Sequence, residues 1–195
     1  MTTNRPSKDT WAMGVALWTA QRATCLRRRV GAVLLDAKGF VLATGYNGVA
    51  AGLPHCNEVT GHVVNPALRK EDGTYRVAEH WERDTVPVYG HACQGAQLPS
   101  GQGHDLCGAI HAEQNALLQC RDTQAVHTVY CTTAPCVACT KLLMNTSAVR
   151  IVYLEGHAQS EASRALWMTL GRAWEAYSGP PPSYYLKVFL QPGIA

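Results

Sequence analysis

An α/β sandwich on a largely parallel sheet is the fold class this sequence predicts. Three observations carry it. Beyond residue 110, segments with apolar residues at helical spacing alternate with short β-branched runs. The chain has 195 residues, a length that suits one domain and lets roughly 70 % of the unfolded surface be buried without covalent staples. Hydrophobic residues make up 47 % of it and charged residues 16 %, ordinary values for a globular domain. No apolar run approaches the about 18 residues a membrane-spanning helix needs.

The elements follow in order. A helix is predicted over residues 7–24, where Ser7 can cap it and Trp11, Val15, Trp18 and Arg22 keep helical spacing. Residues 30–35 read as an apolar strand, Asp36 to Gly39 as a turn, and residues 40–44 as a second strand. Gly45-Tyr46-Asn47-Gly48 breaks the pattern. Residues 49–54 are small and contain Gly and Pro, so a loop is predicted there rather than a return strand. From residue 57 to about 106 neither period is sustained, which marks an irregular insertion inside a single domain spanning 1–195. Regularity returns with a helix over 110–120, a strand over 127–132, a helix over 136–145 and a strand over 149–154. An amphipathic helix over 161–177 and a last strand over 184–190 complete the pattern, and no internal repeat is present.

Seventeen Lys and Arg against 14 Asp and Glu give a net charge of +3, too small to imply a nucleic-acid partner by itself. Residues 1–9 are polar and lack the apolar run of a signal peptide, so a soluble cytoplasmic protein is expected. In a reducing compartment the eight cysteines (25, 56, 93, 107, 120, 131, 136 and 139) stay free for metal binding, catalysis or burial.

Two short stretches carry chemistry. His111-Ala112-Glu113 opens one predicted helix, and Pro135-Cys136-Val137-Ala138-Cys139 opens another. His-x-Glu followed by Pro-Cys-x-x-Cys is the known signature of zinc-dependent nucleobase deaminases. Cys136 and Cys139 are three apart, so their sulfurs share one helix face and can grip one ion. A first-turn position favours the thiolates, because exposed N–H groups and the helix dipole stabilise negative charge. Two thiolates and the His111 imidazole make three ligands, which leaves a tetrahedral zinc with an open position for water. Near a helix start Glu113 can face that position while His111 reaches the metal, and its carboxylate can then relay protons. A Cys-x-x-Cys alone reads more readily as a structural knuckle or a redox pair. The order of the two motifs, with Pro135 before the first Cys and a strand between the helices, favours catalysis. Cys120 and Cys131 sit in helix and strand patterns and read as core.

The sequence resembles the cytidine deaminase superfamily and, within it, the deoxycytidylate (dCMP) deaminase family. The matching text is Arg29-Val30-Gly31-Ala32-Val33-Leu34, Gly45-Tyr46-Asn47-Gly48, His55-Cys56, Ile110-His111-Ala112-Glu113-Gln114-Asn115-Ala116 and residues 130–139, within a span from about 10 to 155. The resemblance implies a three-layer α/β/α sandwich of the cytidine deaminase type around a five-stranded mixed, mainly parallel sheet. It implies hydrolytic deamination of dCMP to dUMP, feeding thymidylate synthesis, with Glu113 catalytic and His111, Cys136 and Cys139 holding the zinc. Asn47 would contact the sugar hydroxyl, although a plain turn asparagine is the simpler reading of the residue alone. Relatives often hold a second, structural zinc. Cys25 and Cys56 match two of its ligands, with His104 and Cys107 as the favoured remainder and His91 and Cys93 as rivals. The same resemblance implies a homo-oligomer, often a hexamer, that dCTP activates and dTTP inhibits.

Arg27-Arg28-Arg29 is the one basic run. A solvated charged stretch is its ordinary reading, yet a monophosphate substrate needs a cation near the sugar loop, and Arg27 or Arg28 is the candidate. Three rivals remain open: a deaminase of another free cytosine nucleotide such as dCTP or a modified dCMP, a nucleic-acid-binding zinc protein without chemistry, and a purely structural zinc module.

Overall fold

The computed structural model describes residues 5–53, 55–56, 59–64, 70–71, 85–89 and 107–181. Helix α1 (Lys8–Ala20) starts where expected: the Ser7 side chain accepts from the Thr10 backbone N–H at 3.1 Å. Strands β1 (Gly31–Leu35) and β2 (Val41–Tyr46) form a hairpin. At its turn one Asp36 carboxylate oxygen accepts from the N–H groups of Lys38 at 2.9 Å and Phe40 at 2.8 Å. Then come the two-residue strand β3 (Gly48–Val49), β4 (Val59–Val64), β5 (Thr85–Tyr89) and β6 (Ala109–Ile110). The remainder is α2 (Ala112–Gln119), β7 (Thr128–Thr133), α3 (Val137–Met144), β8 (Arg150–Glu155), α4 (Ser160–Met168) and β9 (Ala173–Ala176).

The main sheet is five-stranded and mixed, as expected, in the order β2-β1-β7-β8-β9. Where a mainly parallel sheet was expected, the pairings divide evenly. β1 runs antiparallel to β2 and β7, while β7–β8 and β8–β9 are parallel. Period-two alternation sends the two faces to different helices. Val33, Leu35, Tyr130 and Val152 pack with Met13 and Ala16 of α1. Ala32, Leu34, Val129, Cys131 and Ile151 pack on the other face with Ala112 and Ala116 of α2, Leu143 of α3 and Trp167 of α4. Those faces are the layers of the sandwich, and each fully buried Leu, Val or Ile adds about 1.5–3 kcal/mol.

Two glycines let helices lie directly on the sheet. A Cβ at Gly31 would collide with the Ala16 carbonyl oxygen of α1, and one at Gly45 with the Ala112 carbonyl oxygen and Ala116 nitrogen of α2. The starting ends of the parallel strands are tied together by Arg150. Its guanidinium bonds both Asp9 oxygens, at 2.9 and 2.8 Å, and Glu175 at 2.7 Å, so α1, β8 and β9 share one ion-pair network. The Tyr130 hydroxyl on β7 donates to the same Asp9 at 2.6 Å.

Three elements differ from the sequence prediction. The helix over 161–177 is two elements: α4 stops at Met168, Gly171 takes a left-handed turn at φ +67°, and the chain returns as β9. Trp167 and Trp174, seven apart, mimic a helical stripe, but Trp167 enters the core from α4 and Trp174 packs against it from β9. The fifth strand is therefore β9, and the strand predicted over 184–190 lies outside the described residues. In place of an all-loop stretch after β2, β3 pairs antiparallel with β6, Gly48 opposite Ile110 and Val49 opposite Ala109. Within the segment predicted as irregular, β4 and β5 form an antiparallel pair. None of the seven described cysteines is in a disulfide, and no helix among the described residues is long and apolar enough to cross a membrane.

Candidate metal centre

Everything chemically notable gathers where β2, β7 and β8 end and β1 begins. The β3–β6 ladder delivers the chain to His111, the N-cap of α2, in extended conformation (φ −69°, ψ 157°). Gln114 fixes that start by accepting from the His111 backbone N–H at 2.9 Å. Asn115 anchors the first turn to the sheet by donating to the Tyr46 carbonyl at 2.8 Å. On the next connection, Ala134 N–H donates to the Glu155 carbonyl at 2.8 Å, and Pro135 leads into Cys136, the extended N-cap of α3. Cys139, on the first turn of α3, is fully buried.

These two helix starts face each other. The His111 Nδ1 atom lies 3.5 Å from the Cys136 sulfur and 3.4 Å from the Cys139 sulfur. All three ligand atoms fall within 4.8 Å of one another. Zinc with sulfur at about 2.3 Å and nitrogen at about 2.05 Å, in tetrahedral geometry, sets nitrogen–sulfur edges of about 3.6 Å. The trio fits that ion in both donor type and size. Without a cation the two thiols compete for one charge. The Cys139 thiol, ahead of His111, holds Cys136 down to about 3, and the same contact pushes Cys139 up. The Cys136 hydrogen bond raises His111.

Glu113, on the first turn of α2, is 3 % exposed. Burial raises its pKa above the ordinary carboxylate value, against an opposing pull from the His111 charge, and its carboxyl group also interacts with Cys136 and Cys139. Cys131 on β7 is fully buried as predicted, and burial, with the Glu113 charge adding to it, pushes its thiol well up. Cys120, at the end of α2, is half-buried against the edge of the core where a core place was expected, and it donates weakly to the Asp122 carbonyl. The predicted Glu113, His111, Cys136 and Cys139 are thus brought together. Sequence reasoning gave no role to Gln114, Asn115 and Gly45, which position α2; a Gln three residues past the N-cap was the signal available.

The other candidates lie around this centre. Asn47 is 9 % exposed at the end of β2; its Oδ1 accepts from Val30 N–H at 2.8 Å and its Nδ2 donates to the Arg28 carbonyl at 2.9 Å. Residues Ala23 to Arg29 line an open concavity of about 320 Å³. Arg27 and Arg28 are exposed there, and the Arg28 guanidinium stands 4.0 Å from Glu155. Cys25 and Cys107 are half-buried and Cys56 is buried. His104 and the rivals His91 and Cys93 lie outside the described residues. Among the described residues, His111, Cys136 and Cys139 form the one group of three or more metal-type ligands.

Comparison with known proteins agrees with this geometry. The family described as the cytidine and deoxycytidylate deaminase zinc-binding region matches residues 6–155. The deoxycytidylate deaminase of Mycobacterium phage D29 is 34 % identical over 151 residues, 77 % of this chain and 96 % of the phage protein. That of Schizosaccharomyces pombe is 29 % identical over 183 residues, 93 % of this chain but 47 % of the yeast protein, so the chain spans about half the length of this relative. A solved structure of the dCMP deaminase from cyanophage S-TIM5, in complex with dCMP and dUMP, superposes with a TM-score of 0.58 at 22 % identity. It covers 89 % of this chain and 98 % of its own, a likeness of fold.

Proposed function

Since the chain belongs to the cytidine and deoxycytidylate deaminase zinc-binding family, we propose that it hydrolyses dCMP to dUMP and ammonia. The observation that carries the reading is a buried carboxyl group, Glu113, against a His–Cys–Cys trio of zinc dimensions. Zinc held by His111, Cys136 and Cys139 supplies Lewis acidity strong enough to ionise water near pH 7. Glu113 takes one proton of the attacking water and delivers it to N3 of the cytosine ring, then takes the remaining proton from the new C4 hydroxyl and passes it to the departing amine. The C4–N bond breaks, a C4 carbonyl forms, and one water is consumed for each ammonia released. Burial of Glu113 keeps bulk solvent from that proton.

Around the ring, Asn47 faces the sugar, and Arg27 and Arg28 supply cations for the 5′-phosphate. Cys25, Cys56, His104 and Cys107 hold a second, structural zinc. The enzyme works in the cytoplasm as a homo-oligomer, supplies dUMP for thymidylate synthesis, and responds to dCTP and dTTP. Support for the substrate comes from the D29 and S. pombe relatives, both named deoxycytidylate deaminase.

The test is a panel of dCMP, dCTP, CMP and deoxycytidine, followed by ammonia release, with and without added dCTP and dTTP. The expected result is turnover of dCMP above the other three. A preference for dCTP moves the reading to a triphosphate deaminase, and absence of deamination from zinc-loaded protein removes it.

A further inference from the structure

Asn47 makes an unusual set of bonds for a residue at the end of a strand. A turn asparagine bonds its own neighbours two residues along the chain. Here the side chain reaches 17 and 19 residues back, accepting from Val30 N–H at 2.8 Å and donating to the Arg28 carbonyl at 2.9 Å. The Asn47 backbone N–H adds a third bond, to the Val30 carbonyl at 3.2 Å. The amide is nearly buried, so both its oxygen and its nitrogen serve one three-residue stretch of main chain.

That stretch is the end of the basic loop. Arg28 projects from it to within 4.0 Å of Glu155. Glu155 is paired with Thr133, three residues before Cys136. On the other side, Asn47 is followed directly by β3, whose Gly48 pairs with Ile110, the residue before His111. One buried amide therefore joins the arginine loop to the chain that carries the first metal ligand.

We propose that Asn47 is a positioning residue for phosphate recognition: its amide clamps residues 28–30 so that the arginine loop meets the substrate's 5′-phosphate. The inference rests on the deaminase reading for the identity of the ligand, and it assigns Asn47 a part separate from contact with the sugar. Without the amide, the part-buried Val30 N–H and Arg28 C=O both lose their partners, so the stretch shifts and takes Arg28 with it. A nucleoside, which has no phosphate to meet, registers the loss of a sugar contact but not the shift of the arginine loop.

Affinity for the product pair dUMP and deoxyuridine, measured by calorimetry on the zinc-loaded protein, reads this directly. Wild type should prefer dUMP. Asn47→Ala should weaken dUMP by about tenfold more than it weakens deoxyuridine, the scale of one charge-assisted hydrogen bond, because the two ligands share any sugar contact and differ only in the phosphate. Asn47→Asp keeps the acceptor for Val30 N–H but sets a carboxylate against the Arg28 carbonyl, and should fall with Asn47→Ala. Adding Asn47→Ala to Arg28→Ala should cost dUMP no more than Asn47→Ala costs deoxyuridine, because both substitutions remove the same phosphate contact. Equal losses for the two ligands mean sugar contact alone and overturn the inference, as do fully additive losses in the double variant, a wild type indifferent to phosphate, or loss of fold in both variants. A wild type that shows the split yet deaminates no cytosine nucleotide removes the deaminase reading and leaves the clamp standing.

Discussion

Gly45→Ala tests how the sheet sets the metal centre. The new methyl group would lie 2.9 Å from the Ala116 Cα and nearer still to the Ala112 carbonyl oxygen and Ala116 nitrogen, where ordinary contact begins at 3.4 Å. All three are backbone atoms of α2, so no side chain can swing aside, and the helix must retreat by on the order of 1 Å. Overpacking of this kind costs about 1–3 kcal/mol, or about 2–4 °C of melting temperature per kcal/mol in a chain of this size. The retreat also carries His111 away from two sulfurs fixed on α3, and a 1 Å misplacement of reacting groups costs about 100-fold in rate. Gly31→Ala is the control. Its methyl group meets α1 backbone as tightly, with Ala20 nitrogen at 2.7 Å, but α1 holds no metal ligand and lies on the other face. Thermal melting, zinc stoichiometry and dCMP turnover on the two variants decide the matter. Both should melt earlier, and Gly45→Ala alone should lose zinc affinity and about 100-fold in turnover. Equal effects on turnover and zinc would refute the claim that β2 sets the position of His111.

Three further outcomes are expected. Glu113→Ala should keep its zinc, as metal analysis would show, while turnover falls by about 100-fold or more; near-normal rates would take Glu113 out of the reaction. Cys136→Ser and Cys139→Ser should each lose zinc to a mild chelator that leaves wild type loaded, because a hydroxyl does not replace a thiolate on this ion. Asp9, whose pKa the Arg150 hydrogen bond lowers, adds stability that is present above its unfolded value of 3.8 and is lost as pH falls below that through the folded value. Its side chain is 37 % exposed, so solvent screening keeps the contribution to about 1 kcal/mol. Asp9→Asn should lower the urea midpoint at pH 7 and flatten the loss of stability below pH 4; an unchanged acid limb would show that the ion pair contributes nothing.

The metal centre was legible because its signal is local: His-x-Glu and Pro-Cys-x-x-Cys each lie at a helix start, so the spacing that names the ligands also orients them. α1 with its Ser7 cap and the β1–β2 hairpin were legible for the same reason. Features that depend on partners far along the chain were not. β3 is two residues long and exists only because β6 pairs with it about 60 residues later, which no period within residues 45–54 can show. The pairing of β1 with β7, which makes the sheet evenly mixed, leaves no trace in either strand's composition. Asn47 reads as a turn residue until Val30 and Arg28 are seen beside it. Trp167 and Trp174 misled because seven residues is two helical turns and also a helix end, a glycine turn and a strand start.

The β3–β6 ladder works as a neck. Both strands lie outside the five-stranded sheet, and the chain between them leaves at Val49 and returns at Ala109 as cross-strand partners. Whatever length of polypeptide occupies that interval, its two ends are held side by side, and His111 stands two residues beyond the return. Closing a longer or shorter loop changes the entropic cost by only about 0.6 kcal/mol for each doubling. Grafting or trimming at this point can therefore exchange the intervening sequence wholesale while the imidazole keeps its address.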